Sequence, residues 1–263
     1  MIKIVAVIGS PKGRGAGHKI VTMIEDRMKS LGDVEFEYLF LKEAYLKPCT
    51  GCYACMAQGE DKCPLADDRA AMEQKLFAAD GVILSSPVYV GNVSGLMKNF
   101  IDRFAYTKHR PRFHRLKVLT VANMAGTEKK GALASLDNVL GGSRVVHELG
   151  IPTPPWPQSE RAVAKKERAI DAAAKKFYRA CLDGSPPAPT FNDYMNFFSY
   201  QKLSRECRRY LPADHSFYNG KTFYPDLNVH PIKAAAVKAL VGFVMNMMKD
   251  LGPGGIAWPV AKE

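Results

Sequence analysis

Four of the chain's six cysteines lie within fifteen residues: Cys49, Cys52, Cys55 and Cys63. Three thiolates at two-residue intervals with a fourth nearby can surround an iron–sulfur cube, and the seven residues before Cys63 leave enough chain to return to the same cube. Zinc sites more often combine two separated Cys-x-x-Cys pairs, which argues mildly against zinc. Thiols that pack or react without a metal are the third alternative. The spacing therefore favours a [4Fe–4S] site over zinc or metal-free thiols.

A glycine-rich turn follows the first predicted strand and opens directly into a helix, over Gly9–Lys19. Backbone N–H groups and the helix dipole converge at such a turn, which makes it a candidate site for a phosphate. It lacks the Gly-Lys-Ser/Thr ending of the Walker loop and the glycine spacing of the dinucleotide fingerprint. A tight strand-to-helix turn without a ligand is the alternative.

A second candidate site follows the third predicted strand, where Ser85–Arg103 leaves a strand end and enters a helix. Ligands of open parallel sheets bind outside the carboxyl ends of the strands, near the point where strand order reverses. Tyr89 offers a flat ring face, and Gly91 and Asn92 allow a ligand to approach the backbone. Packing of Tyr89 within the protein is the alternative interpretation.

The elements that must position these segments alternate strand and helix up to about residue 149. This alternation is typical of an α/β fold, a doubly wound parallel sheet of about five strands with helices on both faces. The predicted strands are 2–8, 34–41, 81–85 and 116–123, and the alternating pattern of the second suits a sheet edge. The predicted helices are 16–31, 67–79, which Asp67 or Asp68 would cap, 95–104 and 131–149. A fifth strand is expected only as an irregular edge segment over the proline-rich residues 151–157.

The sequence also predicts a division into three parts. The sheet domain covers 1–182 and includes the cysteine-rich loop 49–63, the Gly/Ser/Pro-rich segment 183–189 is a linker, and 190–263 is an aromatic-rich, mainly helical extension. Within the extension, 231–251 is a mostly apolar helix, too short and too interrupted to cross a bilayer comfortably. We interpret it as packed on the core or a partner, with a membrane-surface helix as the alternative. The two isolated cysteines, Cys181 and Cys207, have the pattern of small buried hydrophobes.

Composition and charge indicate the general class of the protein, its expected location and the kinds of partner it could bind. The 263 residues are 47% hydrophobic, which predicts a globular protein, and the first apolar run lacks the features of a signal peptide, which predicts a cytoplasmic location. The net charge of +11 concentrates in 108–117 and 159–182, neither of which carries a nucleic-acid motif. We interpret both stretches as solvated faces or subunit contacts. Attraction of a phosphorylated cofactor or an acidic membrane is the alternative, and peripheral membrane contact is the less favoured of these.

Four motifs together resemble the NADPH-dependent FMN reductase superfamily, and within it most closely the iron–sulfur flavoproteins. They are the turn Gly9–Lys12, the cysteine run followed by Asp67 and Asp68, Ser86–Tyr89, and Leu96–Arg103. The resemblance covers about residues 1–150 and implies a flavodoxin-like fold with FMN over the first and third strand ends. It implies that the phosphate is held by Ser10, Lys12 and the amides of Gly15, Ala16, Gly17 and His18. It also implies that the isoalloxazine is faced by Pro87, Val88, Tyr89, Gly91 and Asn92, with Met124, Ala125 and Gly126 closing the far side.

One departure from the family pattern concerns the phosphate. The family commonly has an Asn and a Ser or Thr where this chain has Ala16 and Gly17, so two side-chain donors are absent. Backbone amides, Lys12, Arg14 or His18 would have to replace them. The resemblance further implies a homodimer or homotetramer in which the cysteine loop of one subunit approaches the flavin of a neighbour.

These observations predict an FMN-dependent oxidoreductase whose cofactors carry the redox chemistry, since no side chain stands out as a catalytic acid or base. Its partners would be a small-molecule or protein electron donor and acceptor. The first alternative is a cluster-free flavin or quinone reductase that takes electrons from NAD(P)H, with the stretch 108–117 attracting the phosphates. The second is a zinc-binding, nonenzymatic interaction module that docks a partner through the extension.

Overall fold

The computed structural model describes residues 1–137, 139–185 and 187–247. The chain forms two compact units. The first combines Met1–Cys52 with Leu65–Ser185, and the second combines Tyr53–Pro64 with the described part of Pro186–Glu263. The division between the units therefore falls inside the cysteine-rich loop.

The first unit contains a parallel five-stranded sheet in the order β2-β1-β3-β4-β5, the order of flavodoxin-like folds. Strands β1, β3 and β4 are nearly continuous runs of buried residues, as expected for strands covered on both faces, and the alternating strand β2 lies at an edge as predicted. The strands are β1 (Ile2–Ile8), β2 (Val34–Phe40), β3 (Gly81–Pro87), β4 (Lys117–Met124) and β5 (Arg144–Pro152).

The helices are numbered along the chain. They are α1 (Ala16–Lys29), α2 (Ala54–Ala57), α3 (Arg69–Phe77), α4 (Gly95–Arg103), α5 (Tyr106–His109), α6 (Lys130–Asp137), α7 (Glu160–Leu182), α8 (Phe191–Glu206), α9 (Pro212–Tyr218) and α10 (Pro231–Met247). In the first unit α1 and α7 pack together, and Ile24 and Phe177 belong to one core cluster with Ile4 of β1. Burial of this face positions the N-terminus of α1 at the carboxyl end of β1.

Most predicted elements of the sheet domain are observed with ends within two residues of their predicted positions. The prediction of one helix over 131–149 is wrong. The helix α6 ends at Asp137, and 144–152 forms the edge strand β5, earlier than the predicted edge segment. Two glycines in the connection before β5 are incompatible with one continuous helix of residues with side chains: Gly142 has a φ of +93°, and a side chain on Gly141 would collide with the carbonyl oxygen of Thr107 at 1.8 Å.

The basic stretch 108–117 differs from its interpretation as a solvated face. Arg110 and His114 are 2% and 1% exposed, because Phe113 and Leu116 between and after them are drawn into the interior. Burial also lowers the pKa of the Lys108 ammonium. The other basic stretch behaves as predicted, since most cations of α7 are exposed while its apolar face is buried.

The second unit is built on an aromatic core. Buried residues from α8, α9, α10 and the segment between the last two form one cluster: Tyr194, Phe197, Phe198, Tyr218, Phe223, Tyr224, Leu227, Val237 and Val241. Thr190 and Asp193 form a capping box at the start of α8. Helix α2, which contains Cys55, contacts α9 in this unit. The extension thus supplies the packing partner for the second half of the cysteine loop.

Helix α10 partly matches its prediction. Val237 and Val241 are buried, which agrees with packing on a core, and residues 248–251 of the predicted helix lie outside the described residues. No helix within the described ranges is long and apolar enough to cross a bilayer. Of the isolated cysteines, Cys181 packs against the sheet core, where burial raises the pKa of its thiol to about 12, in agreement with the prediction.

Candidate functional site

The turn between β1 and α1 is shaped by its own backbone. The Gly13 N–H donates to the Ser10 carbonyl at 2.9 Å, the Gly15 N–H donates to the Gly13 carbonyl at 2.8 Å, and Gly13 has a φ of +63°. No side chain caps α1, and its first backbone bond runs from the Lys19 N–H to the Gly15 carbonyl. The N–H groups of residues 16–18 therefore lack intrahelical partners and can receive an anion.

Gly17 is required by a close approach between α1 and the sheet. A Cβ at this position would lie 2.8 Å from Oδ1 of Asn123 and 3.0 Å from Oγ of Ser85. The N-terminus of the helix thus lies against side chains at the ends of β3 and β4, and glycine is the residue that fits there without displacing them. A serine or threonine at position 17 would therefore require Asn123 and Ser85 to move.

Asn123 contributes a buried acceptor to the same place. Its side chain is 8% exposed, and its Oδ1 has no hydrogen-bond partner among the described residues. The Asn123 amide nitrogen donates weakly to Thr153 Oγ1 at 3.4 Å. A buried polar atom without a partner is costly, so a ligand that donates a hydrogen bond fits this position.

Two of the three side chains proposed to replace the missing donors have other contacts. Arg14 lies 3.4 Å from Glu43 and over the Phe40 ring at 4.8 Å. His18 packs beside the rings of Tyr38 and Phe40, and burial together with the Arg14 charge lowers the pKa of its imidazole. Both side chains are thereby directed to the β2 edge of the sheet.

Lys12 is the cation nearest the start of α1, and Lys42 also lies beside the turn, with its Cδ 3.8 Å from where a Cβ on Gly13 would be. The Lys12 side chain is exposed and makes no ion pair within the described ranges, and its Cβ and Cδ lie 3.4 and 3.9 Å from where a Cβ on Gly15 would be. Its N–H donates to the Ser10 hydroxyl at 3.3 Å. Lys12 and Ser10 are therefore both placed to meet an anion at the helix N-terminus.

The loop after β3 makes a tight turn over residues 89–92. Tyr89 and Asn92 exchange backbone hydrogen bonds of 2.8 and 3.0 Å, and the two central residues, Val90 and Gly91, have φ values of +50° and +72°. A turn with two positive φ values ordinarily favours Asn-Gly, so the β-branched Val90 is strained. Val90 is fully exposed and Tyr89 is 48% exposed, which leaves the Tyr89 ring available to a ligand.

Hydrogen bonds of serine side chains connect the turn after β1 with the loop after β3. The Ser94 N–H donates to the Ser86 hydroxyl at 3.0 Å, and the Ser94 hydroxyl donates to the Gly9 carbonyl and accepts from the Met97 N–H. The half-buried Ser135 hydroxyl lies 2.9 Å from two acceptors, Asn92 Oδ1 at the end of the turn and the Gly131 carbonyl. The predicted site residues did not include Ser94, Ser135 or Asn123, and Ser86 was identified only as the start of the motif Ser86–Tyr89. Polar residues at the ends of otherwise apolar strands are the signal that could have found them.

A third loop completes this edge of the sheet. Met124 is buried at the end of β4, its carbonyl accepts from the Thr153 N–H at 2.6 Å, and Ala125 and Gly126 are exposed. Strand β3 lies between β1 and β4, and all run parallel. The structure therefore brings together at one edge the three predicted flavin segments, residues 10–18, 87–92 and 124–126.

The ends of the cysteine loop are fixed by a buried ion pair. Asp67 and Arg103 have side chains only 1% and 2% exposed, and the Arg103 guanidinium donates to both Asp67 carboxylate oxygens and to the Lys47 carbonyl. The Lys47 N–H donates back to Asp67 at 2.9 Å, and the Cys49 N–H donates to Asn99 at 3.1 Å. The start of the loop near Cys49 and its end at Asp67 are thus held together.

The pKa of Asp67 shows that its hydrogen-bond donors outweigh burial at this carboxyl group. Burial alone would raise the pKa of this carboxyl group, but the Arg103 guanidinium and the N–H groups of Arg69 and Lys47 stabilise the charged form and lower it. Asp68 holds the same segment, because it accepts from the Tyr45 N–H at 2.8 Å. The prediction that one of these aspartates caps the helix is met only in part: Asp68 occupies the N-cap position without a side-chain cap hydrogen bond, while Asp67 before it accepts from the Arg69 N–H at 3.2 Å.

The cysteines themselves lie in a strongly turned segment. Gly51, Tyr53 and Gly59 all have positive φ values. Cys49 and Cys52 are exposed in the first unit, while Cys55 and Cys63 are half-buried in the second. Within the described ranges, no three Cys, His, Asp or Glu side chains are close enough to hold a metal ion. The metal-ligand set therefore stays a prediction.

Comparisons with known proteins identify the family and the fold of the chain. The family model described as NADPH-dependent FMN reductase matches residues 2–151. An iron–sulfur flavoprotein of Methanocaldococcus jannaschii is 35% identical over 39% of this chain and 51% of its own length. A second iron–sulfur flavoprotein of that organism is 30% identical over 57% of this chain and 71% of its length. A solved flavone reductase has the same fold with a TM-score of 0.53 and 14% identity, over 69% of this chain and 64% of its own. The chain thus spans about half the length of the first of these relatives.

Proposed function

This chain belongs to the NADPH-dependent FMN reductase family, and from that premise we propose that it is an FMN-dependent oxidoreductase with its flavin at the carboxyl edge of β1, β3 and β4. The observation that carries the proposal is the contact of Gly17 with Asn123 and Ser85. This contact places the uncapped N-terminus of α1 beside the point where the strand order of the sheet reverses, where its N–H groups can bind an anion.

The phosphate would be held mainly by backbone. The N–H groups of residues 16–18 would receive it, whereas the predicted donor Gly15 already donates its N–H to the Gly13 carbonyl. The Ser10 hydroxyl would add a hydrogen bond, and Lys12 would supply a positive charge. The isoalloxazine would lie along Pro87, Val88, Tyr89, Gly91 and Asn92, with Met124, Ala125 and Gly126 on the far side. Asn123 Oδ1, buried beside Gly17, would accept a hydrogen bond from the ligand.

We also propose that Cys49, Cys52, Cys55 and Cys63 hold a [4Fe–4S] cluster. The iron–sulfur flavoproteins among the relatives support this assignment, as does the clamp of Asp67 and Arg103 on the ends of the loop. When bound, FMN supplies two-electron redox chemistry and a cluster passes electrons singly. The electron donor and acceptor, the homodimer or homotetramer and the cytoplasmic location stay predictions.

A cluster-free NAD(P)H-dependent reductase is the second candidate. The placement of the cysteines favours it, because within the described ranges no three Cys, His, Asp or Glu side chains are close enough to hold a metal ion. The idea that the stretch 108–117 attracts the phosphates of NAD(P)H is weakened, since Arg110 and His114 are buried. The zinc-binding module is a third candidate, which predicts a colourless protein with zinc and without flavin.

Anaerobic purification followed by quantitation of flavin, iron and sulfide on one sample tests these proposals. We expect about one FMN and, for a cube, about four irons per chain. Flavin without iron in the anaerobic sample supports the cluster-free reductase. Protein that binds no flavin even after incubation with FMN contradicts the oxidoreductase proposal.

A further inference from the structure

Helix α10 has an exposed apolar side that its packing leaves uncovered. It buries Val237 and Val241 on one side, whereas at helical spacing on the other lie four exposed hydrophobic residues: Ile232, Leu240, Phe243 and Met247. These four residues form an apolar stripe along the helix, and the exposed alanines at 236 and 239 continue it. The stripe follows the whole helix, which is about 25 Å long at 1.5 Å per residue. Contiguous exposed apolar surface of this kind marks an interaction site.

A cavity with a mainly positively charged lining, the cationic cavity, lies between α10 and α8 next to the exposed apolar stripe. Its volume is about 280 Å³, and its charged lining is Lys202, Arg205, Glu206 and Lys238. Lys202 lies 3.9 Å from Glu206, and Arg205 and Lys238 make no ion pair within the described ranges. The cavity therefore presents a surplus of positive charge next to the apolar stripe.

The surrounding surface strengthens this charge. Residues 187–247 contain seven Lys and Arg against four Asp and Glu. Two of the four acids, Asp193 and Asp214, are 7% and 0% exposed and so are not presented at the surface beside the cations. No acidic residue occurs within α10, where Lys233 and Lys238 flank the stripe.

We propose that α10 and the cationic cavity bind the surface of an anionic phospholipid bilayer. The stripe would insert among the acyl chains near the headgroups, and Lys202, Arg205 and Lys238 would contact lipid phosphates. The described helices include none that crosses a bilayer, so the attachment is to the surface. A second copy of the chain fits less well, because pairing two stripes brings the flanking lysines of both copies together.

Co-sedimentation with vesicles tests the proposal on the full-length holoprotein. The protein is mixed with vesicles of phosphatidylcholine alone and of phosphatidylcholine with phosphatidylglycerol. We expect binding to the anionic vesicles that weakens as salt is added, since the phosphate contacts are screened. No binding to either vesicle, or equal binding to both, overturns the proposal.

Two variants separate the stripe from the charges. The Leu240→Gln, Phe243→Gln double variant should lose binding, and the Lys202→Gln, Arg205→Gln, Lys238→Gln triple variant should bind weaker by roughly fivefold per cation, or on the order of a hundredfold. Matched controls lie on α7: Val163→Gln with Leu182→Gln, and Lys165→Gln with Arg168→Gln and Arg179→Gln, all at exposed positions. Circular dichroism checks that each variant is folded.

The same variants test the rival occupant. If size-exclusion chromatography with light scattering shows a dimer that the Leu240→Gln, Phe243→Gln variant dissociates, and the vesicles bind neither form, the stripe is a subunit interface and the proposal is wrong. Control variants that reduce vesicle binding as much as the α10 variants also contradict it, because binding would then follow total charge alone.

Discussion

The turn before α1 and the cysteine loop both serve a proposed cofactor, but they are fixed in different ways. The turn over residues 9–18 lies within one unit and is held by its own backbone, by Ser94 and by contact with β3 and β4. The loop over residues 49–63 is held at its two ends, and its interior is divided between the two units. The first region is complete within one unit, whereas the geometry of the second depends on its two fixed ends and on the ligand that it binds.

This difference indicates how the two sites acquire their geometry. A phosphate site made of N–H groups and glycines is complete once the sheet has folded. Four thiolates seldom approach one another without a metal, because metal binding and local folding are coupled. We therefore expect the flavin site to be preorganised, and the cysteine site to form when its cluster is inserted.

The largest expected effect comes from breaking the clamp at the base of the loop. Asp67→Asn leaves the buried Arg103 guanidinium without its carboxylate partner, which should lower the free energy of unfolding by about 3–5 kcal/mol. Urea denaturation at neutral pH measures this change. The matched control is Asp102→Asn, which removes an exposed pair with Lys98 and should cost less than about 1 kcal/mol. Equal losses in the two variants would contradict the role given to the clamp.

Asp67 also makes the stability of the protein depend on pH, in a direction that follows from its lowered pKa. Because the pKa of Asp67 is lower in the folded state than its ordinary value, its contribution to stability is present above that ordinary pKa of about 3.9 and is lost as the pH falls through the folded pKa. Wild-type protein should therefore lose more stability under acid than Asp67→Asn. Thermal unfolding measured across that pH range should show the two curves converging at the acid end.

A smaller effect is expected in the turn before α1. Gly17→Ala puts a Cβ against Asn123 and Ser85, and such overpacking costs about 1–3 kcal/mol. Because the shift moves the N–H groups that would receive the phosphate, FMN titration followed by flavin fluorescence should show weaker binding. Gly95→Ala is the control, since a Cβ at position 95 has nothing within 4 Å. Unchanged FMN affinity in Gly17→Ala would separate this helix end from the flavin.

The smallest effect concerns the strained turn beside the flavin edge. Val90 has a φ of +50° and is fully exposed, so Val90→Asn loses no packing and relieves a left-handed penalty of about 1 kcal/mol. The melting temperature should rise. Val229→Asn, at an exposed position without positive φ, should leave it nearly unchanged. A melting temperature lowered by Val90→Asn would mean that the turn is not under strain.

The sequence predicted the parts of this molecule that local patterns determine. Apolar runs located β1, β3 and β4, and the motif spacing located the three loops that meet at the flavin edge. Strand β5 was predicted too late in the chain, because its half-exposed residues resemble a helix until the break at Gly141 and Gly142 is recognised.

Long-range contacts escaped prediction for a different reason. Nothing near Asp67 in sequence indicates that its partner is Arg103, 36 residues away, since the pairing arises only when α3 and α4 pack on the sheet. Similarly, the sequence shows that position 17 has no side-chain donor for a phosphate. It does not show that Asn123 lies against this position, because that contact forms only in the folded sheet.

The contrast between a preorganised flavin site and a metal-dependent loop can be tested directly by one measurement. Iron and flavin are quantified on the same anaerobic samples of wild type, a Cys52→Ala, Cys55→Ala double variant, and a Cys181→Ala, Cys207→Ala control. We predict that the first double variant loses its iron and keeps its flavin, while the control keeps both. Iron retained without Cys52 and Cys55, or flavin lost together with the iron, would contradict the account.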